Sequence, residues 1–317
     1  MNKSIAVIGA GAWGTALAIL LTKAGRPVTL WARDAQKTAA MRQSRENPRL
    51  PGVALPPGLR VTAEMPVADI FLLAVPMQSL RAILLALPPQ APLVLCCKGL
   101  ETGTNLLPPE IVTTRSCAIL TGPNFAHEIA VGLPAAAVLA TPDAALRTKL
   151  IKALHTPTFR LYGSPDHIGA ALGGAAKNVI AIAAGVVMGA GLGENARAAL
   201  ITRGLAEIAR LAAALGGKAE TMSGLSGLGD LLLTCTGTSS RNYSLGFGLG
   251  QGQGLQEILG SRSAVTEGVM TAPALLARAA TLKVDMPITQ AVTKLLSGEM
   301  NVRETMAALM SRALKDE

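Results

Sequence analysis

Lysine, not histidine, is the side chain this sequence offers for proton transfer. The three histidines, His127, His155 and His167, stand in contexts that pair none of them with a carboxylate, which favours surface or helix-end roles. Lys177 instead lies in Gly173-Gly174-Ala175-Ala176-Lys177-Asn178, inside an apolar stretch where an isolated charge is expensive. Gly173 and Gly174 fall one turn earlier on the same helix face and cost helix stability unless something packs closely there. Two occupants fit: a cofactor or substrate, or a second helix crossing at close range with the lysine reaching outward. A balancing carboxylate is offered by Leu225-Ser226-Gly227-Leu228-Gly229-Asp230-Leu231-Leu232-Leu233-Thr234-Cys235, where Asp230 stands between a glycine loop and an apolar helix start. It is placed to cap that helix, to pair with Lys177, or to do both. Ser239-Ser240-Arg241-Asn242 adds a guanidinium, an amide and hydroxyls, all able to donate to phosphate oxygens, although such a grouping alone carries little information.

These groups need a partner molecule, and the amino terminus offers a seat for one. Ile5-Ala6-Val7-Ile8-Gly9-Ala10-Gly11-Ala12-Trp13-Gly14 puts three glycines at Gly-x-Gly-x-x-Gly spacing between an apolar β-branched run and a helix-like stretch. Gly9 takes the tight turn, Gly11 lets backbone approach a pyrophosphate, and Gly14 lets the helix pack closely on the strand. The helix amino terminus then faces the anion. A helix is predicted from about Trp13 to Ala24, ending at Gly25, followed by a parallel strand over Val28-Thr29-Leu30-Trp31, which completes a βαβ unit. After that strand the chain reads Ala32-Arg33-Asp34. Arg33 suits a ribose 2′-phosphate and Asp34 leaves room for a free ribose, so NADP(H) is expected to be preferred with NAD(H) possible.

The elements that must position this chemistry change character along the chain. Strands are predicted at Asp69 to Val75, Leu93 to Cys96, Cys117 to Leu120, Ala135 to Ala140 and Phe159 to Tyr162, with a helix near Gln78 to Ala86. Alternating strands and helices give an α/β fold, a Rossmann-type doubly wound, mainly parallel sheet with its ligand crevice outside the strand carboxyl ends. Ser164-Pro165-Asp166 then reads as the N-cap, first-turn proline and first-turn acid of a long helix, and the remainder is an all-α substrate domain. Gly246 to Gly254 reads as a loop between helices. The predicted domains are residues 1–163 and 164–317.

Composition narrows the function classes. With 317 residues and 50% hydrophobic content there is material for two cores. The net charge of +9 is spread along the chain rather than gathered in runs, and aromatics are only 3%, which disfavours nucleic acid. A basic balance suits phosphate-bearing ligands. Cys96, Cys97, Cys117 and Cys235 form no C-x-x-C pair and sit mostly in apolar runs, so free thiols in a reducing compartment are expected. The first strand begins too early for a signal peptide, and the apolar stretch from Val179 to Leu192 falls short of a bilayer span. A cytoplasmic protein without a metal site is the expectation.

Taken in order, Gly9 to Ala16, Lys98-Gly99-Leu100-Glu101, Gly122-Pro123-Asn124-Phe125-Ala126, Gly174 to Asn178, Gly229-Asp230, Ser240-Arg241-Asn242 and Thr266-Glu267-Gly268 resemble the motifs of bacterial NAD(P)-dependent sn-glycerol-3-phosphate dehydrogenases. The resemblance covers essentially the whole chain. It implies reversible interconversion of sn-glycerol 3-phosphate and dihydroxyacetone phosphate, supplying phospholipid synthesis, in a homodimer. It makes Lys177 the acid/base, with Lys98, Asp230 and Thr234 in support. Substrate contacts fall on Lys98, Gly122, Asn124, Lys177, Asp230, Ser240, Arg241 and Asn242. Coenzyme contacts fall on Gly9, Gly11, Ala12, Trp13, Gly14, Arg33, Lys98, Ala126, Arg241, Val265 and Glu267.

Three positions depart from the family pattern: Ala12 replaces a serine found in some relatives, Asn124 stands where threonine is common, and His127 where lysine is frequent. The rival readings are a related two-domain hydroxyacid or hydroxyacyl dehydrogenase and a non-catalytic coenzyme-sensing module. The first fits the amino-terminal half equally well, but not the contexts of Lys177 and Arg241. The second requires neither a lysine and carboxylate nor a phosphate-binding group.

Overall fold

The computed structural model describes residues 3–260 and 266–311. They form two compact units, one of residues up to 98 with Pro108–Ala171, the other of Gly99–Leu107 with residues from 172 on. The first holds strands β1 (Ile5–Ile8), β2 (Val28–Trp31), β3 (Arg60–Thr62), β4 (Ile70–Leu73), β5 (Leu93–Leu95), β6 (Cys117–Thr121), β7 (Ala135–Ala140) and β8 (Phe159–Ser164). They make one sheet in the order β3-β2-β1-β4-β5-β6-β7-β8. The strands are parallel neighbours except β6 and β7, which run antiparallel, so the last pair β7 and β8 points against the rest. The order of strand addition reverses at β1, which pairs with β2 on one side and β4 on the other. That is the topological switch point where doubly wound sheets bind ligands.

Helices α1 (Ala12–Lys23), α2 (Ala35–Ser44), α3 (Leu80–Ala86), α4 (Pro108–Ile111), α5 (Ala126–Val131) and α6 (Ala144–Leu154) accompany the sheet. Every residue of β1 and β4 is buried, as a parallel sheet covered on both faces requires. Val7, Leu30, Leu72 and Val94 share a core with Leu17 and Leu21 of α1. β2 has the ends the sequence predicts, whereas β3 escapes sequence reading because it spans three residues and exposes Arg60.

The second unit is built around α7 (His167–Gly189), α8 (Gly193–Ala214), α9 (Asp230–Cys235), α10 (Arg241–Gly250), α11 (Leu255–Gly260), α12 (Glu267–Thr281), α13 (Pro287–Ser297) and α14 (Val302–Met310). Three expectations need correction here. Ser164 ends β8 and does not cap α7; the cap is Asp166, whose Oδ1 accepts from the Gly169 N–H at 2.8 Å, while Ser164 Oγ accepts from the Asp166 N–H. At 23 residues α7 is long enough to cross a membrane, but its apolar stretch is almost wholly buried, so its hydrophobicity serves a protein core. Gly246 to Gly250 are helical rather than loop, because α10 lies against α7 with glycine on both faces. A Cβ on Gly185 would come within 2.1 Å of the Tyr243 carbonyl oxygen, and one on Gly246 within 1.9 Å of that of Ile182. Backbone contact at this range offsets the entropic cost of glycine in a helix.

Glu207 of α8 is 2% exposed and anchors the start of α13. Its carboxylate accepts from the Ile288 N–H at 2.6 Å and from the N–H and hydroxyl of Thr289 at 3.3 Å. Burial raises its pKa to about 7, outweighing the lowering by those hydrogen bonds and by Arg210. The folded chain therefore binds a proton here that the unfolded chain releases near the ordinary carboxylate value, so stability falls as pH rises through about 7. Relative to Glu207→Gln, the wild type is expected to lose about 3 kcal/mol between roughly pH 4.5 and 8. Denaturant melts of both proteins across that range check it; parallel pH profiles would refute it.

Candidate active site

In the first unit the candidate residues collect at the carboxyl ends of the parallel strands. Gly9 follows β1 with φ +110°, and a side chain there would strike the Ala74 carbonyl oxygen at 2.5 Å. A Cβ on Gly14 would sit 2.0 Å from the Gly9 carbonyl oxygen, so α1 rests directly on the turn. Gly11 is the opposite case, with no protein atom within 4 Å of where its Cβ would be. Gly11 also caps α1, which has neither a side-chain cap nor an acid in its first turn. Its leading N–H groups, at Ala12 and Trp13, suit a pyrophosphate approaching across Gly11. The buried indole Nε1 of Trp13 has no hydrogen-bond partner, a further donor on the same turn. These features fit a dinucleotide.

Asn47 braces this turn, and the sequence reading missed it. Its Nδ2 donates to the Ala10 carbonyl at 3.1 Å and to Thr15 Oγ1 at 2.7 Å, while its Oδ1 accepts from the Arg49 N–H. Nothing local marks this bracing role, since the partners of its Nδ2 lie more than thirty positions away. Asn47→Ala strands the buried Thr15 hydroxyl and the half-buried Ala10 carbonyl, costing about 1 to 3 kcal/mol. Coenzyme affinity is expected to fall about tenfold with kcat little changed. Fluorescence titration with coenzyme beside steady-state kinetics tests this; an unaltered coenzyme Kd would refute it.

Beyond β2, Arg33 is exposed. Asp34 caps α2, accepting from the Lys37 N–H at 3.0 Å and pairing with the Lys37 ammonium at 3.4 Å. Its carboxylate is thus engaged at the start of α2. Lys98 follows β5 and is half-buried. Gly122 follows β6 with φ +147°, where a Cβ would press on Ala137 Cα at 3.0 Å. Asn124 Nδ2 donates to the Ala136 carbonyl at 3.2 Å, while its buried Oδ1 lacks a partner and presents an acceptor. Ala126 begins α5.

The second unit brings Lys177, Asp230 and Thr234 together. Lys177 pairs with Asp230 Oδ1 and donates to Thr234 Oγ1 at 2.9 Å, and the threonine hydroxyl donates to the Asp230 carbonyl at 2.6 Å. Asp230 is fully buried and the lysine side chain 11% exposed, so the ammonium is held by a desolvated carboxylate. Of the roles offered to Asp230, pairing is the one realised; α9 has no side-chain cap. The predicted glycine loop is a π-helical turn, Leu225–Gly229, running straight into α9. Gly173 is also settled: its Cβ would meet the Ser226 carbonyl oxygen at 2.4 Å, so the close neighbour is that turn's backbone and not a ligand.

Ser240 caps α10, its Oγ accepting from the Tyr243 N–H at 3.2 Å, with Arg241 exposed beside it. Asn242 is less free than its sequence suggests. Its Nδ2 donates to Asn178 Oδ1 at 2.9 Å and its Oδ1 accepts from the Gly268 N–H at 3.0 Å. This amide relay ties the residue after Lys177 to α10 and to the start of α12, where Glu267 is the first residue. Asn178 is therefore a site residue whose role nothing in the local sequence discloses. Val265 lies outside the described residues.

A dinucleotide seat on a doubly wound sheet and a lysine braced by a buried carboxylate define a nicotinamide-dependent dehydrogenase of the two-domain class. Comparison with known proteins gives the family. The model for the NAD-dependent glycerol-3-phosphate dehydrogenase N-terminus matches residues 4–147 and that for the C-terminus residues 166–307. The glycerol-3-phosphate dehydrogenase [NAD(P)+] of Acidiphilium cryptum is 60% identical over 100% of this chain and 99% of its own. That of Rhodospirillum rubrum is 52% identical over 99% of this chain and 93% of its own. The crystal structure of glycerol-3-phosphate dehydrogenase from Coxiella burnetii superposes with a TM-score of 0.93 at 35% identity, covering 98% of this chain and 99% of that one. The chain belongs to the NAD-dependent glycerol-3-phosphate dehydrogenase family.

Proposed function

We propose that this enzyme reversibly reduces dihydroxyacetone phosphate to sn-glycerol 3-phosphate with NAD(P)H, the product serving phospholipid synthesis. The observation that carries the reading is the buried Lys177, Asp230 and Thr234 cluster. The coenzyme supplies and accepts hydride. As the substrate carbonyl gains negative charge, the Lys177 ammonium stabilises the oxygen and then protonates it. Asp230 keeps the lysine charged and aimed, and Thr234 fixes its third dimension by a second hydrogen bond. Lys98, Gly122, Asn124, Ser240, Arg241 and Asn242 contact substrate, the guanidinium of Arg241 being suited to phosphate.

In this reading Gly9, Gly11, Ala12, Trp13 and Gly14 seat the pyrophosphate, and Arg33, Lys98, Ala126, Arg241, Val265 and Glu267 complete the coenzyme contacts. NADP(H) is preferred because Arg33 is exposed at the end of β2 while Asp34 is engaged by Lys37, and NAD(H) remains usable. Residues 1–163 serve the dinucleotide and 164–317 the substrate. The protein is a cytoplasmic homodimer; its four cysteines, all free, support a reducing compartment, and light scattering checks the dimer. Oxidation of NADPH and NADH with dihydroxyacetone phosphate, and with dihydroxyacetone lacking the phosphate, tests the activity. Phosphate-dependent turnover is expected; coenzyme binding without turnover would overturn the reading.

A further inference from the structure

A second group of cations lies in the first unit at the amino ends of the strands, opposite the carboxyl ends that carry the glycine-rich turn. The segments entering β5 and β6 and the face of α6 enclose a cleft of about 350 Å³, lined by Gln90, Thr114, Arg115, Ser116 and Lys149 among others. Its walls precede the first residues of β5 and β6, whereas Lys98 and Gly122 follow their last, a separation of roughly 15 Å along β6. The cleft therefore belongs to neither the coenzyme seat nor the residues assigned to substrate.

The lining is polar and cationic. Arg115 Nη2 donates to the Ala91 carbonyl at 2.6 Å, which fixes the guanidinium at the wall, while its buried Nε has no partner. Buried donors left unmet are costly, so this one calls for an acceptor. Lys149 lies against Lys3, and that contact, before all else, holds the Lys3 ammonium below the ordinary lysine range. The carboxylate near these lysines is Asp69, whose Oδ2 already accepts from the Ser4 N–H and hydroxyl, both at 2.8 Å. The two lysines thus share one carboxylate that is already engaged, and Arg115 adds a further cation to the cleft wall. Hydroxyls of Thr114 and Ser116 supply neutral donors beside them. The volume is at the small end of ligand sites, large enough for a compact anion and too small for a dinucleotide.

We propose that this cleft binds a compact phosphate-bearing anion, inorganic phosphate or a small phosphomonoester, through Arg115 and Lys149. The guanidinium fork takes two phosphate oxygens and the ammonium a third, relieving the repulsion between Lys149 and Lys3.

A site-resolved probe separates this from phosphate bound elsewhere. Lysine acetylation by an activated ester, quantified by peptide mass spectrometry, is measured with inorganic phosphate, with glycerol 2-phosphate, and with chloride at matched ionic strength. Phosphate is expected to slow acetylation of Lys149 about threefold or more, since a bound dianion holds the ammonium in its charged, unreactive form. Lys152, exposed on the same helix, should be unaffected. Protection by both phosphates assigns the site to phosphomonoesters as well as free phosphate; protection by inorganic phosphate alone assigns it to the free ion. Arg115→Gln should abolish protection while leaving turnover intact. Equal labelling in phosphate and chloride overturns the proposal, and that wild-type comparison decides even if the variant fails to fold.

Discussion

Lys177→Ala is expected to lower kcat roughly 10,000-fold in both directions while coenzyme still binds. Loss of a positioned general acid costs about 10²- to 10⁴-fold, and loss of the charge facing the developing oxyanion a further 10²- to 10³-fold, with partial overlap because one group does both. Coenzyme binding should survive because the glycine-rich turn and Asn47 lie in the other compact unit. The substitution also leaves Asp230, fully buried, without its cation, a loss of about 3 to 5 kcal/mol. Lys177→Ala/Asp230→Asn should recover much of that stability without recovering activity, so melting and turnover together separate folding from catalysis. A pH test accompanies it. In alcohol oxidation the lysine must release its proton first, and a free lysine does so only near 10.4, so wild-type oxidation should accelerate toward alkaline pH. A profile flat between about pH 6 and 10, or a Lys177→Ala variant within tenfold of wild type, would remove this lysine from the chemistry.

The difference between what the sequence disclosed and what it withheld lies in the range of the interactions. The turn from Gly9 to Gly14 was legible because its glycine spacing is a local pattern, with Gly9 at positive φ and Gly14 resting on the Gly9 carbonyl, and the fully buried strand before it announces itself as an apolar run. Lys177 was legible as a charge in apolar surroundings, but whether Asp230 capped or paired was not, since the choice depends on two segments 53 residues apart. Asn47 and the relay from Asn178 through Asn242 to Gly268 were beyond reach for the same reason. The amino end of α7 was misplaced by two residues because Ser164 and Asp166 are both acceptable caps, and strand β8 continues through Ser164. Glycine misled in the other direction. Local propensity reads Gly246, Gly248 and Gly250 as a break, yet close approach of α7 outweighs propensity.

That close approach gives the second large effect: Gly246→Ala is expected to destabilise the protein by about 3 kcal/mol or more. In an isolated helix the same change stabilises by about 1 kcal/mol, so the sign itself is diagnostic. The new methyl would lie 1.9 Å from the Ile182 carbonyl oxygen and 3.0 Å from its Cα, and a backbone neighbour cannot rotate aside as a side chain would. Neither can α10 slide easily, because Gly185 and Gly189 of α7 meet the Tyr243 and Phe247 carbonyl oxygens at 2.1 Å from their own would-be Cβ positions. The helices must separate. Asn242 sits one turn earlier on α10 and hydrogen-bonds Asn178, next to Lys177, so separation also moves Arg241 relative to the lysine. Displacement near 1 Å between reacting groups costs about 100-fold in rate, so the folded fraction should show reduced kcat/KM with unchanged coenzyme affinity. Gly237→Ala, where the side chain meets open space, should stay within about 0.5 kcal/mol of wild type. Thermal melts of the two variants decide the matter: a Gly246→Ala protein as stable as Gly237→Ala would mean that α7 and α10 are not in backbone contact.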